Sequence, residues 1–172
     1  SGAGVTYFTA TNIYAAPTTL SGATMNFLMS LAGGMLAGYV VLKRDPFWTY
    51  SSGLAGIICA SAGNDLYHPL QSMVIAMVGV VIMYKLHYWV ERRFKIDDAV
   101  GAVAGHGYAG VVGLLICGFV LWGYPSSTYE GYAAINPLGM LAGAVIMFGV
   151  LGFLPGYVIA LILNSAGQLR IP

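Results

Sequence analysis

Charge is what this sequence has least of. Only 8% of its 172 residues are Asp, Glu, Lys or Arg, against about a quarter in a soluble globular domain, which excludes a water-facing globule. Dense basic runs are missing as well, and a net charge of +1 leaves no electrostatic footprint for nucleic acid. Cysteine is limited to Cys59 and Cys117, both inside apolar runs. With no Cys-x-x-Cys pair and no His/Cys cluster at zinc spacing, they read as small packing residues, not a disulfide or a metal pair. The opening SGAGVTYF has no Met, no basic n-region and no apolar h-region. It is not a signal peptide, and it reads as a processed start or as a point partway along a larger protein.

Apolar residues make up 58% of the chain, glycine occurs 24 times, and the mean hydropathy is +0.78. This composition predicts an all-α, polytopic membrane helix bundle forming a single domain over 1–172. A hydrocarbon core about 30 Å thick needs about 20 apolar residues per helix, and five segments meet that need. They are 24–42, 47–63, 69–90, 97–123 and 137–163. Pro69 suits a first helical turn, where its missing N–H costs nothing. The stretch before Thr24, with Pro17 and several Ser and Thr, reads as a partial or interrupted helix plus a loop.

Five spans put the turns after the first and third on one side with the C-terminus. Six of the seven basic residues lie there: Lys43, Arg44, Arg92, Arg93, Lys95 and Arg170. The seventh, Lys85, can snorkel to the same face. The opposite loops, 64–68 and 124–136, carry no Lys or Arg. Positive-inside bias therefore places the C-terminus in the cytoplasm and the N-terminus outside, in a cell inner or plasma membrane.

Gly105-His106-Gly107-Tyr108-Ala109-Gly110 has the letters of a dinucleotide fingerprint but not its strand-turn-helix setting. Gly101, Gly105, Gly110 and Gly113 instead give small residues at three- to five-residue spacing, which lets helix backbones approach closely in lipid. His106 is the outstanding residue. An ionisable group at membrane depth costs a few kcal/mol on insertion scales unless it faces a cavity or a partner. Its competing readings are a neutral imidazole bonded to a neighbouring carbonyl, and a haem or pigment ligand. The last lacks a paired histidine at matching depth, since His87 falls near a helix end, and no cofactor is expected. Asp97 and Asp98 read as helix caps before proton carriers. Asp65 and His68 read as a solvated loop pair, and Glu91 and Glu130 as loop charges. No nucleophile–base pair suggests an enzyme.

Asp97-Asp98, His106 eight residues after Asp98, then Gly107 and Gly110-x-x-Gly113 resemble the ammonium transporter (Amt/Mep/Rh) family's V-D-D-x-x-D-V-F-G-V-H-G-x-x-G-x-x-G segment. Gly53-Leu54-Ala55-Gly56 resembles its G-A-x-A-G-L stretch, and the run from Gly4 to Asn12 its G-W-x-G-F-N-x-G-S pattern. The spacing to Asn26 fits the family's next asparagine. The resemblance implies an eleven-span fold of two inverted five-helix halves plus a last helix. It also implies trimers with one narrow pore per subunit. This chain then corresponds to the second half, from the end of span six to span eleven. His106 becomes one of two pore histidines, Phe8 an aromatic gate, Asn12 the stand-in for an outer serine, and Asp98 the organiser of the entrance. Departures are Gly101 for a third aspartate and Val103 for a phenylalanine. The other pore histidine would come from a missing first half. The expected function is a channel for ammonium or ammonia completed by that half or by a partner chain, in contact with membrane lipids. The alternative is a transporter-like remnant serving as a non-transporting structural subunit of a larger, energy-transducing membrane complex.

Overall fold

The computed structural model describes residues 20–95, 98–124 and 133–168; Phe8, Asn12 and Asp97 lie outside them. Those residues are helices and connecting turns with no strand among them. Four helices are long and apolar enough to cross a membrane: α1 (Leu20–Val41), α3 (Pro69–Phe94), α4 (Val103–Val120) and α5 (Pro137–Ser165). Between the first two, α2 (Pro46–Ala60) is 15 residues long and runs on into a 3₁₀ turn, Ser61–Gly63. It is the shortest of the five segments expected from the sequence. At 1.5 Å per residue, it and its turn rise roughly 27 Å, close to the thickness of a hydrocarbon core.

Small residues bring α1, α2 and α3 together. The buried face of α1 is Asn26, Ser30, Gly33, Gly34, Ala37 and Gly38, a stripe at helical spacing. A Cβ on Gly34 would run into the Ser52 carbonyl, and one on Gly56 would stand 2.8 Å from the Gly34 Cα. With no water to expel between helices in lipid, this close approach gains dispersion contacts that larger side chains would prevent. Lys43 and Arg44 then turn the chain in left-handed conformations (φ 58° and 63°). Asp45 caps α2 by accepting from the Trp48 N–H at 2.9 Å, with Pro46 in the first turn.

At the other end of α2, buried polar groups tie the loop to α1. The Asn26 amide donates to the carbonyls of Asn64 (2.8 Å) and Tyr67 (2.6 Å). The Asn64 amide donates to the Ala23 carbonyl, and the Ser72 hydroxyl donates to Asn64 Oδ1. His68 is not simply a solvated loop residue. Its Nδ1 accepts from the Leu70 N–H while Gln71 returns to the His68 N–H, a reciprocal cap for α3 with Pro69 in the first turn. Lys95, left-handed at φ 55°, ends that helix.

α4 begins later than the apolar run suggests. Asp98 to Gly101 form a turn, closed by the Gly101 N–H donating to the Asp98 carbonyl at 2.9 Å. Gly101 has φ +64°, a conformation costly for other residues, so it stands ahead of the helix and not in its packing stripe. The long α5 starts at Asn136, whose side chain accepts from the Gly139 N–H at 2.7 Å. It widens to a π-helix over Val145–Phe153, just before Pro155. Proline lacks the N–H for the regular ladder, which accounts for an irregularity on its N-terminal side.

Candidate functional site

The first six residues of α4, Val103–Tyr108, are π-helical, a geometry often found at functional sites. Asp98 holds its start. One carboxylate oxygen accepts from the Val103 N–H at 3.2 Å and the other from the Ala104 N–H at 2.9 Å. Two of the orphan donors at a helix start are satisfied this way, and the negative charge complements the helix dipole.

Around the helix the faces differ. Ala104, Ala109, Val112, Gly113 and Cys117 are buried. A Cβ on Gly113 would overlap the Cys59 carbonyl, so α4 lies directly on α2 there, and one on Gly110 would stand 2.7 Å from the Phe148 ring of α5. Gly105 has open space beside it, and Gly107 meets only Val103 of its own helix; the tight packing is at Gly110 and Gly113. His106 lies on the open face, exposed, with Val103 48% exposed nearby. Among the described residues its ring has no hydrogen-bond partner and is not sealed between helices.

A second cluster sits at the Asp98 end, most of it unmarked by any sequence pattern. His87 of α3 is 5% exposed; its Nε2 is 3.4 Å from Glu91 Oε1 and its Nδ1 is 3.7 Å from Asp98 Oδ2. Trp48 of α2 meets the same ring edge-on, 5.0 Å between centroids, as does Tyr88. Glu91 is therefore a helical residue paired one turn from His87, not a loop charge. The sequence offered one signal, the four-residue spacing from His87 to Glu91. The contact to Asp98 depends on how the α3–α4 turn folds back.

At the opposite end, burial pushes the Asp65 carboxyl above the usual carboxylate range, partly offset by a backbone hydrogen bond. Burial also raises the Tyr67 hydroxyl well above its ordinary value, with Cys117 nearby adding to the effect. Cys59 and Cys117 are free and buried. No group of three or more His, Cys, Asp or Glu that could hold a metal occurs among the described residues.

The Ammonium Transporter Family model matches residues 5–172. The chain belongs to the ammonium transporter family. It is 29% identical over 147 residues to ammonium transporter Amt2 of Methanocaldococcus jannaschii, a match covering 83% of this chain and 33% of that protein. Over 124 residues it is 31% identical to ammonium transporter Amt2 of Archaeoglobus fulgidus, covering 72% and 25%. The ammonium transporter of Corynebacterium glutamicum is 27% identical over 160 residues, covering 84% and 33%. The chain thus spans a quarter to a third of the length of these curated relatives. No solved structure matches it significantly. Within the ammonium transporter family, a family of transporters and not of enzymes, its apolar helices mark it as an integral membrane protein. The family match includes His106 and Asp98, and also Phe8, Asn12 and Asp97.

Proposed function

We propose that this chain forms the second half of an ammonium- or ammonia-conducting channel, its pore completed by the family's first half. The observation that carries the reading is His106. An ionisable ring, exposed in the first turn of a helix apolar enough to cross a membrane, is costly where it meets lipid and reasonable beside a water-poor passage. In such a passage an imidazole can hydrogen-bond ammonia stripped of its water and relay a proton. A hydrated K⁺ finds no substitute there for its hydration shell. Asp98 fixes the start of the helix that presents the ring, and Gly105 and Gly107 keep the space beside the ring clear. Phe8 would gate the outer approach, and the Asn12 amide oxygen would accept an N–H bond from arriving ammonium. Assembly as a homotrimer and an outward N-terminus with a cytoplasmic C-terminus belong to the same proposal. The orientation is supported by the placement of the basic residues.

Uptake of labelled methylammonium into vesicles containing the chain and its first half tests this. His106→Ala is expected to reduce uptake by about a hundredfold or more, the scale on which a single positioned proton-transfer group contributes. Uptake unchanged by that substitution would remove the assigned role.

One observation favours a second reading, a non-transporting structural subunit. The most apolar stretch of α5 is entirely unburied, which leaves a large face for foreign subunits. Purification in fixed ratio with such subunits, with no uptake, would decide for it.

A further inference from the structure

We propose that His87 is a protonatable positioning residue that fastens α3 to the start of α4 and so controls how His106 is presented. The argument is one of donors and acceptors. Each ring nitrogen faces a carboxylate: Nε2 faces Glu91 and Nδ1 faces Asp98. A neutral imidazole carries a single N–H and can serve only one of them, leaving a lone pair pointed at the other carboxylate. The imidazolium carries two and joins both. The carboxylate oxygen that His87 reaches, Asp98 Oδ2, also accepts from the Ala104 N–H. One atom therefore belongs to both the bridge and the cap, and His106 lies two residues beyond Ala104. When the neutral ring keeps its proton on Nε2, facing the nearer carboxylate of Glu91, Nδ1 turns a lone pair toward Asp98 Oδ2, and that loosens the π-helical first turn.

Among the described residues, no Lys or Arg forms an ion pair with Glu91 or Asp98. From α3 the ring meets Glu91, Tyr88 and, through Trp48, Tyr84; from α2 it meets Trp48 itself, with Asp45 acting on Tyr84. The turn before α4 contributes Asp98, and Tyr108 of α4 lies within electrostatic reach of both Asp98 and Glu91. Arg92 is turned back to donate to the Tyr88 carbonyl, and Lys85, the nearest basic residue in sequence, is exposed. Among the described residues, the ring is the group that contacts both carboxylates.

Only the consequence for conduction rests on the channel reading; the bridge is tested without it. The chain holds three histidines, so ring NMR signals of His68, His87 and His106 can be assigned in lipid nanodiscs. Amide exchange at Val103 and Ala104, corrected for the intrinsic pH dependence, is expected to accelerate about tenfold with the same midpoint as the His87 ring, since exchange follows local opening. His87→Gln should make exchange fast at every pH, and Glu91→Gln should shift both midpoints together if His87→Gln fails to fold. Exchange at Val103 and Ala104 that ignores the His87 midpoint, or that is unchanged in either variant, overturns the proposal. His106→Ala should reduce uptake as stated above and leave this exchange behaviour intact, so failure of the channel and failure of the bridge give different results.

Discussion

Removing the Asn26 amide would leave the carbonyls of Asn64 and Tyr67 buried and unserved, since one side chain donates to both. Unsatisfied buried groups cost about 1–3 kcal/mol each, so Asn26→Ala should lower stability by roughly 2–4 kcal/mol in a detergent unfolding titration. Asn26→Asp should cost more, because a carboxylate offers those carbonyls no donor at neutral pH. Asp65 gives a pH signature at the same end. Burial raises its folded-state value above the unfolded 3.8, so the folded chain holds the proton more tightly. Stability then falls as pH rises from about 3.8 through the raised value, because the folded state binds more protons in that window. Thermal unfolding at several pH values should show this decline in the native chain and a flatter profile in Asp65→Asn.

At the scale of elements, close approach is concentrated where glycine meets backbone. Gly34 abuts the Ser52 carbonyl and Gly113 the Cys59 carbonyl, while Gly143 and Gly156 have open space. Gly113→Val should separate α4 from α2 and destabilise by about 3 kcal/mol or more through overpacking, whereas Gly156→Ala should be near neutral; thermal denaturation of the two variants checks the contrast. The apolar runs made the long helices readable, since length and hydropathy alone fix them in lipid. They could not show where α4 begins, because a left-handed Gly101 looks the same in sequence as a packing glycine. Nor could they show that Gly105 packs against nothing while Gly113 lies on bare backbone. The His87 bridge was hidden for a related reason: its third member arrives across a turn whose path no periodicity encodes. His106 stood out because an ionisable residue in a charge-poor span is conspicuous, and Asp98 because carboxylates before a helix are recognisable caps.

For the whole molecule, the asymmetry of charge gives a direct test. Lys43, Lys95 and Arg92 lie toward one end and the Asn64–His68 loop toward the other. With the proposed orientation, a membrane-impermeant maleimide should label Lys95→Cys only from the cytoplasmic face. Native Cys59 and Cys117, both buried, should contribute no background.

The 29 residues of α5 measure about 44 Å at helical rise, well beyond a hydrocarbon slab of about 30 Å. A rod longer than its slab must lean, kink or thicken the bilayer around it, and Pro137, Met140 and Phe148, in the earlier part of α5, lie against Gly118 and Gly110 of α4. Its far end, exposed among the described residues, is expected to follow bilayer thickness, with the Phe148 ring beside Gly110 as the pivot. Spin labels at Val103→Cys and Leu163→Cys should separate measurably as acyl chains are lengthened, making this helix a gauge of the membrane that holds it.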